Sequence, residues 1–295
     1  MKMKEIKKAV ICAAGLGTRM LPISYSVAKE LLPIVDLPAI FFLVEEAVNS
    51  GIRDVLIITA KGKGGIEDFF DMPEKFEELM LSRGLSDCAK RIRKVKESVN
   101  LYFLRQNEPR GLGDAVRCAK SFVSDEPFAV LYGDDVIFSE TPVVKQLADV
   151  YKKYGKTVVG VGEVAHSEIY KYSSLKTEPI GEDEKTALCT DMIEKPKPGE
   201  EFSNISILGR VLLTPDVFDV IDTLTEGAGG EIQLTDAIAK MARDGGVYAC
   251  LFEGERYDLG SKTGFLKANI KAALCHPETA DEIREFIKET AKDLQ

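Results

Sequence analysis

The stretch "AVICAAGLGTRMLP" (9–22) starts as a run of apolar and small residues, breaks at Gly15 and Gly17, and sets a lone Arg19 behind them. A short apolar run that ends in glycines reads as a buried strand opening into a loop. Outward from it, "KAVICAA" (8–14) is a strand, "PAIFFLVEEAVNSG" (38–51) a helix stopped by Gly51, and "DVLIITA" (54–60) the next strand. This βαβ order predicts an α/β fold with a mixed, mainly parallel sheet, helices on both faces and right-handed crossovers. The pattern continues through the strand "NLYFLRQ" (100–106), the helix "GDAVRCAKSFV" (113–123) and the strand "PFAVLYGDD" (127–135), with Asp134 and Asp135 just past its end. Ligands of open α/β sheets bind beyond the carboxyl ends of the strands, so the Gly/Arg loop and these aspartates belong on the functional edge.

Between the second and third strands, "MPEKFEELMLSRGLSDCAKRIRKVKESV" (72–99) reads as one or two inserted surface helices, after which the strand pattern resumes. From about residue 156 strands and turns dominate: "TVVGVGEV", then a Gly/Asp-turned hairpin over "YSSLKTEPIGEDEKTALCTDMIEK", then "ISILGRVLLTPDVF". The chain closes with helical segments. One compact unit is expected, with a part over about 1–155, a smaller β-containing part over about 156–262, and C-terminal helices over about 263–295.

With 295 residues and 45% hydrophobic content, the chain is long enough for a large core. Its net charge of -9 argues against nucleic-acid and membrane-surface partners, so any phosphate site must be local. Cys12, Cys88, Cys118, Cys189, Cys250 and Cys275 form no CxxC pair, which suggests neither a zinc site nor a disulfide framework and fits reduced thiols in the cytoplasm. "MKMKEIKK" before "AVICAAG" only mimics a signal peptide, because the apolar run is too short; no segment approaches the roughly 18 apolar residues of a membrane span.

"GLGTRM" (15–20) matches two positions of a dinucleotide-binding GxGxxG, but Met20 stands where the third glycine belongs. The second strand also ends in "TAKG" rather than an acidic residue. A P-loop requires GxxxxGK[ST], which is absent. What remains is a loop whose backbone N–H groups can approach a polyphosphate, with Arg19 as a planar charged fork. His166 and His276, the two histidines, sit in no motif.

"AKELLPIVDLPAI" (28–40) and "MIEKP" (192–196), taken with the opening loop, resemble the nucleotide-sugar pyrophosphorylases. The likeness sharpens to the bacterial-type UTP:glucose-1-phosphate uridylyltransferases through "FLRQNEPRGLGDAVRCA" (103–119), "YGDDVI" (132–137), "GAGGEIQLTDAI" (227–238) and "YDLGSKTGF" (257–265), leaving residues 276–295 outside it. It implies a Rossmann-like nucleotidyltransferase fold with a sugar-binding region, a Mg²⁺ cofactor, UTP and glucose 1-phosphate as substrates, and a homodimer or homotetramer. Ala14, Gly15, Leu16, Gly17, Thr18, Arg19 and Lys29 would surround the nucleotide phosphates, with Gln106 and Gly111 at the base. Asp134 and Asp258 would be the metal carboxylates; a one-residue shift of alignment would put Asp135 in the place of Asp134. Tyr172, Ser173, Glu194 and Lys195 would bind the sugar phosphate, and Arg19, Lys29 and Lys195 would carry the catalytic charge.

Such a reaction needs cations and positioning more than a base, because a sugar phosphate with a second pKa of about 6 is already largely dianionic at pH 7. Ser173 stands where that family usually has glycine, so its side chain is expected to narrow the sugar pocket and add a hydroxyl. Another sugar 1-phosphate, dTTP as donor, or a nucleotide-sugar-binding protein without turnover are the alternatives.

Overall fold

The computed structural model describes residues 4–181 and 183–293. It opens with β1 (Lys8–Cys12), short strands β2 (Pro33–Ile34) and β3 (Leu37–Pro38), α1 (Ala39–Asn49) and β4 (Asp54–Thr59). The segment between the second and third long strands is helical: α2 (Gly65–Phe70), α3 (Glu74–Ser82) and α4 (Ser86–Ser98), followed by β5 (Asn100–Arg105). Next come α5 (Leu112–Cys118), α6 (Lys120–Val123), β6 (Phe128–Tyr132), β7 (Asp135–Phe138), α7 (Val143–Tyr154) and β8 (Thr157–Glu163). The hairpin β9 (Ser173–Pro179) and β10 (Thr186–Glu194) precedes β11 (Ile205–Leu213), α8 (Val217–Ile221), α9 (Leu234–Arg243), β12 (Val247–Leu251) and β13 (Glu255–Asp258). Helices α10 (Lys262–Ala273) and α11 (Ala280–Asp293) close the chain.

Nine strands form one sheet in the order β5-β4-β1-β6-β11-β8-β12-β10-β9. Only β11 and β10 run against the other seven, which is the mixed, mainly parallel sheet the sequence predicts. Strands β8 to β12, from the later half of the chain, continue this sheet rather than building one of their own, while β13 pairs apart from it with β7. The join is the antiparallel pairing of β6 with β11, where Leu131 lies opposite Arg210.

The pleat of β1 explains why its run is apolar without alternation. Val10 faces one core with α5, α8 and α9, while Ala9 and Ile11 face the other with α1, α4 and α10. A strand covered on both faces has no polar side to offer. Ile11 is fully buried, and cutting it to alanine would cost about 2–5 kcal/mol.

The same topology gathers the motif residues. Cys12 is paired with Tyr132 in the β1–β6 register, so the loops after these two strands leave side by side. Gly133 N–H donates to Cys12 O at 3.0 Å. The β13–β7 ribbon places Asp258 opposite Asp135, and Leu259 N–H donates to Asp134 O at 2.8 Å, closing a long sequence gap.

Candidate functional site

Two cavities, of 460 and 550 Å³, share Arg19, Tyr132 and Asp134 as common walls. The first is lined by the 14–19 loop, Lys29, Gln106 and Gly111; the second by Tyr172, Ser173, Glu194, Lys195, Arg256 and Asp258. At their junction Arg19 forks onto Asp258, Nη1 donating to Oδ2 at 2.8 Å and Nη2 to Oδ1 at 3.2 Å, while Nη2 lies 3.8 Å from Asp134 Oδ2. Lys29 Nζ donates to the same Asp134 oxygen at 2.5 Å.

The electrostatics of this group are mutually reinforcing. Burial pulls the Lys29 ammonium down, but the Asp134 and Glu30 carboxylates outweigh it and hold Lys29 above the ordinary lysine value. Burial likewise pushes Asp134 up, and Lys29 and Arg19 more than reverse that, leaving Asp134 below the ordinary aspartate value. Both groups therefore stay charged through the neutral range.

Each wall has a local cause. No backbone N–H from Ala14 to Thr18 donates to another group among the described residues, so the loop offers unsatisfied donors along its length. Gln106 follows β5 directly; its Nε2 donates to Asp114 Oδ2 at 2.7 Å and Gly111 O at 3.3 Å, leaving the amide oxygen as its free acceptor among the described residues. Gly111 has φ 106°, and a Cβ there would stand 2.7 Å from Ile232 O, so no side chain fits between loop and helix. In the β9–β10 hairpin Glu194 pairs with Ser173, and Lys195 N–H donates to Tyr172 O at 2.9 Å. Lys195 holds a left-handed φ of 48°, which turns the chain sharply out of β10 at the cavity edge. Burial pushes the Glu194 carboxyl above its ordinary value, and Thr235 Oγ1 donates to it at 2.8 Å.

Residues 8–273 match the family model described as "Nucleotidyl transferase". The chain belongs to the nucleotidyl transferase family. This nucleotidyl transferase is 46% identical over 287 residues to the UTP–glucose-1-phosphate uridylyltransferase of Staphylococcus haemolyticus, covering 97% of this chain and 99% of that one. The Staphylococcus epidermidis protein of the same name matches with the same identity and coverage. Among solved structures, a UDP-glucose pyrophosphorylase complexed with UDP-glucose superposes with TM-score 0.82 at 37% identity, covering 90% of this chain and 97% of that one. A UTP-bound UGPase from Acinetobacter baumannii gives 0.85 at 34% identity, covering 96% and 99%. With 97% of the chain covered, the likeness runs past residue 276 into α11, which corrects the expectation that 276–295 lie outside it.

The nucleotidyl transferase brings every residue anticipated for its site to one of the two cavities or to their shared wall. Two expectations change in detail. The Ser173 hydroxyl does not stand free in the pocket: it accepts from Ile207 N–H at 3.1 Å and lies 3.1 Å from Ser206 Oγ, a seam that ties β9 to β11. Asp135, the alternative to Asp134, is turned to Arg256, whose Nε donates to its Oδ1 at 2.8 Å and whose Nη2 lies 2.6 Å away.

Three neighbours were not singled out by sequence. Gly260 lies against the Arg19, Asp134 and Asp258 side chains, and Arg256 braces Asp135 while its guanidinium carbon sits 5.2 Å from the Tyr172 ring centre. Lys63 grips the loop from beneath. Gly260 was visible as part of "YDLGSKTGF", whereas nothing in "TAKGKGG" (59–65) marks Lys63 over Lys61.

Proposed function

We propose that this nucleotidyl transferase moves the uridylyl group of UTP onto glucose 1-phosphate, releasing pyrophosphate and forming UDP-glucose. The observation that carries the reading is the Arg19–Asp258–Asp134–Lys29 cluster on the wall common to two cavities, each of a size for one substrate. UTP takes the 460 Å³ cavity. The free acceptor on Gln106 suits the imide N3–H of uracil, which cytosine lacks and thymine shares. Gly111 lets the base pack against backbone, and the N–H groups of Ala14 to Thr18 face the phosphates. Glucose 1-phosphate takes the 550 Å³ cavity, with Glu194 accepting from sugar hydroxyls, Tyr172 and Ser173 as wall, and Lys195 on its phosphate.

The acceptor phosphate attacks the α-phosphorus in line and pyrophosphate leaves opposite. No base is required of the protein, since the nucleophile is already an anion. Arg19, Lys29 and Lys195 hold two mutually repelling anions in register and meet the charge that builds on the leaving group. Arg19 and Lys29 trade their aspartate partners for phosphate oxygens as substrates enter.

Mg²⁺ is the ion we assign to Asp134 and Asp258. The point where a Cβ on Gly260 would stand is 2.8 Å from Asp134 Oδ2 and 2.9 Å from Asp258 Oδ1, so the two carboxylates converge on one place, which the Arg19 guanidinium fills and would vacate for the ion. One or two carboxylates, completed by water and phosphate oxygens, is the set Mg²⁺ prefers. When bound there, the ion would neutralise phosphate charge. We further infer a cytoplasmic homodimer or homotetramer, with the exposed Leu266, Ile270, Phe286 and Ile287 of α10 and α11 as its contacts; light scattering of the purified protein tests this.

The deciding experiment sets UTP, dTTP, CTP and ATP against several sugar 1-phosphates and reads pyrophosphate. Release from UTP only when glucose 1-phosphate is present is expected. Faster release from dTTP, or tight UDP-glucose binding without turnover, would overturn the assignment.

A further inference from the structure

The 13–16 loop is held from below by a side chain that lines neither cavity. Lys63 Nζ donates to Ala13 O at 2.6 Å, to Gly15 O at 2.8 Å, and to both oxygens of Glu30 at 2.8 Å. An ammonium has three N–H bonds, so these four acceptors use it completely and leave nothing for a substrate. Lys29, by contrast, has the single acceptor Asp134 and lines the cavity. The Glu30 side chain is 0% exposed and that of Lys63 11%, so each charge depends on the other to stay buried.

We propose that Lys63, seated on the Glu30 carboxylate, is a positioning residue for the nucleotide phosphates: by capturing the carbonyls of Ala13 and Gly15 it turns the N–H groups of Ala14 and Leu16 toward the cavity. The step from carbonyl to N–H follows from the planar trans peptide, in which the C=O of one residue and the N–H of the next point opposite ways. Ala14 is 4% exposed and its N–H donates to no group among the described residues. A buried donor left open costs stability unless something fills it, and an anion in the 460 Å³ cavity would. Without the clamp, carbonyl dipoles of the same loop could rotate toward the phosphates and repel them. Glu30 follows Lys29 in the chain, so the pair also fixes the backbone from which Lys29 reaches into the cavity. The inference rests on the reading that this cavity takes UTP.

Lys63→Met alone strands a buried carboxylate, so the test uses two other variants. Glu30→Leu with Lys63→Met removes both charges together, and Lys63→Arg keeps the charge balance while its flat fork cannot serve both carbonyls from one atom. For each, kcat, the KM of either substrate, UTP affinity by calorimetry and the melting temperature are measured. The expected result is a UTP KM and dissociation constant raised at least tenfold, with the KM of glucose 1-phosphate within twofold of wild type. A purely structural pair would shift melting and leave the two KM values moving together or not at all. A variant that binds UTP within twofold of wild type overturns the inference. Failure of the wild type itself to bind UTP would instead overturn the reading beneath it.

Discussion

Adding one methyl group at Gly260 should disable the site while sparing the fold. The backbone there lies outside the left-handed region, so alanine meets no conformational barrier; the obstacle is space. The new Cβ would stand 2.8 Å from Asp134 Oδ2 and 2.9 Å from Asp258 Oδ1, and it would overlap Arg19 Nη2. Of these neighbours Arg19, with a side chain 58% exposed, yields most easily. Overpacking that is relieved by an exposed side chain sits at the low end of the usual range, about 1 kcal/mol, or roughly 2–4 °C in melting temperature. The functional loss is larger, because Arg19 is pushed off the common wall and the space between the two carboxylates is filled. Removing one preorganised charge-stabilising donor typically lowers kcat by about 100- to 1000-fold. Gly260→Ala should therefore lose about that much in kcat/KM for pyrophosphate release from UTP and glucose 1-phosphate. A variant that melts normally and turns over within threefold of wild type would show that Arg19 and the two aspartates do not work at this junction.

Asp134→Asn should reduce turnover by about 100-fold or more, and EDTA should abolish pyrophosphate release with recovery on adding Mg²⁺; a chelator-resistant rate would remove the metal assignment. Glu194, held above the ordinary glutamate value of about 4.3, takes up its proton at higher pH in the folded chain than in the unfolded one. Protonation thus favours the fold as pH falls through the raised value, yet it removes the ionised acceptor. The KM of glucose 1-phosphate should rise in that window, and Glu194→Gln should flatten this limb; superimposable profiles would exclude the role. Ser173→Gly should cost about 1–2 kcal/mol in a urea melt, since Ile207 N–H loses its acceptor. The preference for glucose over galactose 1-phosphate should move less than threefold, and a tenfold change would restore Ser173 as a selector.

The alternation of apolar runs and amphipathic stretches made the βαβ order legible, because a strand buried on both faces has to be apolar throughout, as Val10 and Ile11 are. The motifs pointed to residues that the fold gathers around two adjoining cavities, since phosphate chemistry needs cations beside glycines and these cluster in few places along the chain. Other features depended on three-dimensional pairing that no local pattern encodes. "TVVGVGEV" shows a strand but not that β11 would slot between it and β6. Ser173 announces a hydroxyl, but only the neighbouring Ile207 N–H decides which way it turns. Lys63 is one of two lysines in a glycine-rich loop, and its inward path is set by Glu30, 33 positions earlier.

The placement of β11 between β6 and β8 has a mechanical consequence. A strand from the later half of the chain is hydrogen-bonded into the middle of the sheet, so the strands that carry the two cavities belong to one continuous sheet. Severing the chain near residue 155 would therefore leave β6 with a bare rim. Two separately produced pieces would regain catalysis only by zipping Leu131 back against Arg210.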